Sequence, residues 1–401
     1  MADIRGLRWA YVLLGVADGT LLPFIPLYLL ERRMSAAAIG LVLAASAAAA
    51  VAGSLGWAYL ADRWVKPERL VVLAGIAAAA TSMLLVPFGD AAIALAVVIV
   101  VLTIARSPLT LLDPITLRKL RATSRTDYAR IRLRMSAGWA ASVIVSGAAY
   151  QVFGLRLIPF IYAPLALLFG LWAWRAIRPD ADTPTLEPAP RAAVRVRAVP
   201  LAMVGFLGSC LLLGVSLAAT QNFLVLQISD LGGGALLVGA AAAFQAVTEI
   251  PTMGYTHVLT RRFSHRVLFA IGCAIYLVTF VAWAFVSSAL VAALLKLVIG
   301  IAFALTFVAA VMIANDLTPA RLRATGQALM KAVLFGVAPI AGALGGGIVF
   351  EALGARVMFL AATVVVAVAG LLVMIAVPAR ARIQAEEPAV TTREAPSPVV
   401  P

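Results

Sequence analysis

Residues 36–64 read AAAIGLVLAASAAAAVAGSLGWAYLADRW, and the first charged side chain in this stretch is Asp62. A helix needs about 20 predominantly apolar residues to cross a hydrocarbon core of about 30 Å. The stretch is longer than that, and it ends in Asp62-Arg63-Trp64. It therefore predicts a transmembrane helix that stops at a charged membrane surface.

Similar apolar runs fill the rest of the chain. Of 401 residues, 63% are hydrophobic and 12% are charged, whereas about a quarter of a soluble domain is charged. Runs of spanning length occur near 9–30, 37–59, 69–87, 91–112, 133–153, 157–174, 200–228, 234–258, 267–286, 288–315, 324–350 and 355–378. We therefore expect an all-α membrane protein with twelve transmembrane helices.

The basic residues are distributed unequally between the loops. The N-terminus, every second loop and the C-terminal tail hold 26 of the 32 Lys and Arg residues, and the opposite loops hold four: Arg32, Arg33, Arg156 and Arg356. This asymmetry predicts cytoplasmic termini in the inner membrane. The net charge of +14 then indicates attraction to anionic membrane lipids, and no nucleic-acid partner is expected. The first apolar run is too long for a cleavable signal peptide.

A proline-rich polar segment divides the chain. It runs from Arg175 to about Val199 and has the composition of a linker. The predicted organisation is a first six-helix bundle at 1–175, a cytoplasmic linker at 176–199, a second six-helix bundle at 200–378 and a disordered tail at 379–401.

The two parts also align with each other. Gly40 precedes Asp62-Arg63-Trp64 by 22 residues, and Gly239 precedes Arg261-Arg262-Phe263 by 22 residues. The offset between the two patterns is 199 residues, about half the chain. Parallel six-helix repeats related by an axis along the membrane normal are typical of one large class of secondary transporters.

Several segments resemble one branch of that class. They are Leu22-Pro23-Phe24-Ile25-Pro26-Leu27-Tyr28-Leu29 with Ile39-Gly40, Asp62-Arg63 with Lys66 and Arg69, Tyr128 to Trp139, Glu249-Ile250-Pro251, and Thr325-Gly326-Gln327-Ala328. Together they resemble the lactose-permease and nucleoside-symporter-like branch of the major facilitator superfamily. The resemblance implies two six-helix bundles around a central cavity and transport by alternating access.

The resemblance is incomplete. Ala58 stands where the superfamily's cytoplasmic signature usually has a glycine, and Leu111 stands where lactose permease carries an acidic substrate ligand. Neither His nor Glu follows Lys296 within two turns, although lactose permease uses such a pair for proton coupling. Lactose is therefore not the expected substrate.

Charged residues inside the predicted spans are the candidate site. They are Asp18, Arg106, Glu249 and Lys296, with Arg132 at the start of the fifth helix. A charge inside a membrane costs several kcal/mol unless it is paired or faces water, so these residues suit a polar cavity at the midplane. The alternative is that some form fixed structural ion pairs, for example Asp18 with Arg106.

Arg132 and Trp139 are predicted to bind substrate, together with Asp18, Arg106 and Lys296. Arg132 and Trp139 are seven residues apart, which places both on one helix face. A guanidinium and an aromatic plane suit a solute with hydroxyls and a flat apolar side, and the resemblance implies the same role. Trp139 as a packing or interface residue is the alternative.

Glu249 is the predicted proton-coupling residue. A carboxyl group can load and release a proton, whereas an arginine stays charged throughout. The resemblance also places an acid in contact with substrate at this position. Lys296 is the chief competitor for the proton-coupling role.

Asp62 and Arg63 are predicted gating residues at the cytoplasmic end of the second helix. Asp62 could accept hydrogen bonds from arginines or from the N-terminus of the eleventh predicted span, near 324–350. Such bonds would hold one closed state of the transporter. The alternative is that both are helix-end charges that mark topology.

The function predicted from these residues is proton-coupled symport of a small polar solute, sugar-like or nucleoside-like, by a monomer. An efflux antiporter of the same fold is the first alternative, and a membrane-embedded enzyme or receptor is the second. No phosphate-binding Gly-rich loop with lysine is found in the sequence. Cys210 and Cys273 lie inside apolar runs, so neither a cofactor, a metal nor catalysis is predicted.

Overall fold

The computed structural model describes residues 2–88, 91–120, 125–177, 200–319 and 322–379. Residues 2–177 are called the first half below, and residues 200–379 the second half. Nearly all of the predicted linker at 176–199 and of the predicted tail at 379–401 lies outside the described residues.

The described residues of the first half form nine helices, most of them joined by short turns. They are α1 (Ala2–Leu21), α2 (Ile25–Glu31), α3 (Ala36–Arg63), α4 (Pro67–Met83), α5 (Leu85–Phe88), α6 (Ala92–Arg106), α7 (Leu112–Lys119), α8 (Arg125–Phe153) and α9 (Ile158–Ala176). Short 3₁₀ segments at Leu22–Phe24, Ser107–Leu111 and Leu155–Leu157 connect some of them.

The second half is also helical. It comprises α10 (Leu201–Asp230), α11 (Ala235–Arg262), α12 (His265–Phe285), α13 (Ala289–Leu294), α14 (Lys296–Asp316), α15 (Arg323–Lys331) and α16 (Ala338–Ala376), with a π-helical segment at Ala332–Val337. Within the described ranges of both halves no β-strand is present. The all-helical prediction is confirmed for those ranges.

Ten helical runs of the described chain are long and apolar enough to cross a membrane. The last of them, Arg323–Ala376, is 54 residues long and turns at Gly354, whose φ of 82° is not helical. The helix α8 is not among the ten. Its first turns carry several arginines, so its composition is less apolar than that of the others.

The outer surface matches a lipid environment. Ile93, Leu201 and Ile375 are 84%, 85% and 83% exposed. Large apolar side chains in contact with solvent are unfavourable in water, but they lose nothing against lipid tails, which are equally apolar. The chain is therefore a multi-pass membrane protein.

Small residues let the helices approach closely. A Cβ atom placed on Gly342 would lie 2.4 Å from the Val215 carbonyl oxygen, and one on Gly15 would lie 2.1 Å from the Met135 carbonyl oxygen. The backbones of α16 and α10, and of α1 and α8, therefore touch. Such contacts are a main source of helix association where lipid supplies no hydrophobic drive.

Several helical runs are interrupted at or beside proline residues. Pro23 and Pro26 lie at the break between α1 and α2, and Pro108 lies in a 3₁₀ segment between α6 and α7. Pro339 follows the π-helical segment. Proline cannot donate a backbone hydrogen bond, and π segments frequently occur at functional sites. Three of these four prolines, Pro23, Pro26 and Pro339, line a cavity between the halves.

Candidate functional site

The central cavity lies between the two halves. It has a volume of about 470 Å³, within the usual range for small-molecule sites. The first half contributes an apolar wall of Leu22, Pro23, Pro26 and Trp139. The second half contributes the polar side chains, which are Gln221, Asn222, Gln245, Glu249 and Lys296, together with Phe303 and Phe335.

A chain of hydrogen bonds crosses the polar wall. Lys296 Nζ donates to Gln221 Oε1 and to Gln245 Oε1, the latter at 2.8 Å. Gln245 Nε2 in turn lies 3.4 Å from Glu249 Oε2. The ammonium and the carboxylate are thus linked through an amide.

Close packing of α11 on α14 positions these groups. Thr248 Oγ1 donates to the Leu297 carbonyl oxygen at 2.6 Å. A Cβ on Gly300 would lie 2.2 Å from the Gln245 carbonyl oxygen, so only glycine permits this approach. Lys296 is 7% exposed, and a buried ammonium is costly unless polar groups replace its water. The amide oxygens of Gln221 and Gln245 do so.

A second polar cavity, the first-half cavity, has a volume of about 310 Å³. Its lining includes Tyr11, Asp18, Arg106, Asp113 and Arg132. Arg106 donates to Asp18 Oδ1, and these side chains are only 13% and 12% exposed. The Arg106 guanidinium also lies 5.9 Å from the centre of the ring of Tyr162. Asp18 and Arg106 therefore form the ion pair that the sequence left open as an alternative.

Arg132, predicted to bind substrate, forms an ion pair in this structure. It pairs with Asp113 Oδ2, and Tyr11 donates to the other oxygen of that carboxylate at 2.6 Å. Trp139 lines the central cavity, whereas Arg132 lines the first-half cavity. The seven residues between them correspond to about 10 Å along the helix axis, so sharing one helix face does not bring them into one cavity.

The predicted gating residues lie at the end of α3. Asp62 and Arg63 are both exposed, and the Arg63 guanidinium lies 4.4 Å from the centre of the Tyr59 ring on the same helix. Among the described residues, no hydrogen bond joins Asp62 to α15. The expected contact between Asp62 and the N-terminus of the eleventh predicted span, which begins in α15, is therefore not formed among the described residues.

Sequence reasoning missed the amides. Gln221 and Gln245 bond Lys296 directly, but a neutral amide inside an apolar run carries no charge to draw attention to it. The available signal was spacing, since Gln245 and Glu249 are four residues apart on one helix and such residues are neighbours. Asp113 lies one residue beyond the predicted fourth span at 91–112, so it was not among the charges counted inside the spans.

Known proteins share this chain's sequence pattern and fold. A model of the MFS_1 like family matches residues 5–361. A maltose permease of Geobacillus stearothermophilus is 27% identical over 382 residues, covering 94% of this chain and 95% of the permease.

Solved structures agree in fold. The nucleoside transporter NupG superposes with a TM-score of 0.80 at 18% identity, covering 94% of this chain and 99% of that chain. A D-xylose-proton symporter superposes with a TM-score of 0.68 at 14% identity, covering 94% and 97% of the two chains. At these identities the likeness concerns the fold alone.

Proposed function

Because this chain belongs to the MFS_1 like family, we propose that it is a secondary active transporter that carries a small polar solute by proton-coupled symport. The solute is sugar-like or nucleoside-like. Three of the similar proteins are named for maltose, nucleosides and xylose, all of which carry several hydroxyl groups around a ring.

The observation that carries the proposal is the two-sided lining of the central cavity. The chain Gln221, Lys296, Gln245 and Glu249 offers both donors and acceptors on one side. Trp139, from the first half, lines the same cavity. A solute with a hydroxylated edge and a flat apolar face satisfies both walls, since aromatic rings pack on flat apolar surfaces.

Glu249 is the proposed proton carrier. Its carboxyl group lines the central cavity and lies within reach of Gln245, which also bonds Lys296. Protonation of Glu249 removes the negative charge of the site while leaving the ammonium of Lys296. Coupling follows if the solute binds well to only one of these two charge states.

The proposed architecture has twelve passes in two six-helix halves. It counts α8 as a span and divides Arg323–Ala376 at Gly354, which adds two spans to the ten. We place both termini in the cytoplasm and the protein in the inner membrane as a monomer surrounded by lipid. Reporter fusions after Val199 and Pro401 should both give cytoplasmic signals, and a periplasmic signal from either contradicts this topology.

Transport into proteoliposomes tests the function. The purified protein should accumulate at least one labelled sugar or nucleoside when the outside is made acidic, and an uncoupler should abolish the accumulation. Counterflow exchange should persist without the gradient. If none of a broad panel of sugars and nucleosides enters under either condition, the proposed function is wrong. Loss of preloaded solute driven by external acid would instead indicate an antiporter.

A further inference from the structure

The first turn of α3 is completed by a side chain from the other half. Ser35 Oγ accepts a hydrogen bond from the Ala38 amide at 3.3 Å, as a usual N-cap does. Glu351 Oε2 accepts from the Ala37 amide at 2.7 Å. Glu351 is an acidic residue of the second half, so one helix start of the first half depends on it.

The first turn of α11 shows the reverse arrangement. Its N-cap is Gly234, which has no side chain to accept a hydrogen bond. Gln151 Oε1, from the first half, lies 3.4 Å from the Leu236 amide. A Cβ on Gly234 would lie 1.8 Å from that oxygen, so the glutamine amide occupies the space that a capping side chain would take.

The two caps are related by the internal repeat. Ala37 and Leu236 are each the second residue of their helix, and they are 199 residues apart, the same offset as Gly40 and Gly239. Each cap crosses from one half to the other, in opposite directions. We call Glu351 and Gln151 the cap pair.

Close backbone contact between the halves accompanies the cap pair. A Cβ on Gly40 would lie 2.5 Å from the Ala343 carbonyl oxygen, and one on Gly239 would lie 2.2 Å from the Val143 carbonyl oxygen. Four turns further along α3, a Cβ on Gly56 would meet no atom within 4 Å. The halves therefore touch where the caps are, and the side of α3 at Gly56 is open.

We propose that the cap pair closes the transporter at this end, and that both caps break when the cavity opens there. Breaking them exposes amides at two helix starts and removes a carboxylate from the favourable end of the α3 dipole. The Glu351 cap is the stronger, because its contact is shorter and charge-assisted. The inference rests on the proposed function in one respect, that the halves move relative to each other.

Distance measurements between spin labels test the proposal without any solute. Labels at Glu31→Cys and Leu353→Cys report on the capped end, and labels at Trp64→Cys and Arg323→Cys report on the opposite end. The native Cys210 and Cys273 are buried. The labelled protein in which Glu351 and Gln151 are unchanged should give mainly short distances at the capped end. Glu351→Ala should shift the ratio of long to short distances there about fivefold, the usual effect of losing a helix cap.

The other variants refine the test. Gln151→Ala should give a smaller shift, because the 3.4 Å contact is weaker. Gln151→Glu should move the ratio towards short distances, because it supplies a carboxylate to the α11 start. Asp230→Ala removes an acid from the same end without touching either cap and should leave the ratio unchanged.

Two results would overturn the proposal. One is an unchanged ratio in both Glu351→Ala and Gln151→Ala. The other is a shift in Asp230→Ala as large as that in Glu351→Ala, which would show a general charge effect. Failure of every solute in the transport assay would overturn the proposed function and leave these distances interpretable.

Discussion

The first-half cavity and the central cavity contain the same kinds of charged side chain but partner them differently. In the first-half cavity, each arginine faces a carboxylate directly: Arg106 faces Asp18, and Arg132 faces Asp113. In the central cavity, Gln245 stands between Lys296 and Glu249. In a direct pair, the two charged groups already satisfy each other. In the separated pair, Lys296 can exchange its amide partners for a solute, and Glu249 can bind a proton. We therefore propose a structural role for the charges of the first-half cavity and a transport role for those of the central cavity.

Breaking the Asp18–Arg106 pair should have the largest effect. Asp18→Asn leaves a guanidinium uncompensated in a buried site, which costs about 3–5 kcal/mol of unfolding free energy. Unfolding in mixed micelles, followed by circular dichroism, measures this loss. Asp18→Asn combined with Arg106→Gln should recover most of it. A single variant as stable as the wild type would show that the pair is not structural.

Removing the ammonium from the central cavity should mainly affect binding. Lys296→Met eliminates a donor to the solute, and hydrogen bonds to charged groups contribute about 1.5–3 kcal/mol. Solute affinity should therefore fall about ten- to a hundredfold, as measured by equilibrium binding. Lys331→Met, at the exposed end of α15, is the matched control. Equal solute affinity in both variants would show that Lys296 does not bind the solute.

Shrinking the aromatic wall should have a moderate effect. Trp139→Phe keeps an apolar face but reduces the stacking area, and aromatic contacts contribute about 0.5–1.5 kcal/mol. We expect affinity to fall about three- to tenfold. Trp174→Phe, on the outer surface at 65% exposure, should bind as the wild type does. A loss in that control would indicate that the assay reports protein quality.

The smallest effect is expected at Arg132. Its pair with Asp113 is partly exposed, with side chains 53% and 35% accessible, and such pairs contribute about 0–1 kcal/mol. Arg132→Gln should leave both stability and solute affinity within a few-fold of the wild type. A hundredfold loss of affinity would restore the sequence-based prediction that Arg132 holds the solute.

The sequence predicted the general fold better than the site. Apolar runs depend on composition, which a sequence displays directly, so the all-helical membrane fold was predicted. The bounds were less accurate, since α8 begins at Arg125 and not at the predicted 133. The pairing of Asp18 with Arg106 could be named only as an alternative, because it depends on how α1 packs beside α6. Arg132 was placed with Trp139 from helix periodicity. Periodicity tells which face of a helix a side chain is on, but it does not tell which cavity along the helix that side chain lines.

The roles of the amides and of the cap pair could not be predicted from the sequence, because they also depend on how distant helices pack. Gln221 and Gln245 become important only because α10, α11 and α14 converge on one lysine. Glu351 accepts from the amide of Ala37, 314 residues earlier in the chain, and no local pattern encodes such a contact. The internal offset of 199 residues was visible in the sequence, but the cap contacts that share this offset were not.

The most direct test of the central claim is Glu249→Gln in proteoliposomes, with Asp230→Asn as the matched control. The variant keeps a side chain of the same shape but cannot load and release a proton. We predict that accumulation driven by an acidic exterior disappears while counterflow exchange of labelled for unlabelled solute persists. Accumulation at the wild-type level in Glu249→Gln would contradict the account and move the proton site to Lys296 or to the first-half cavity.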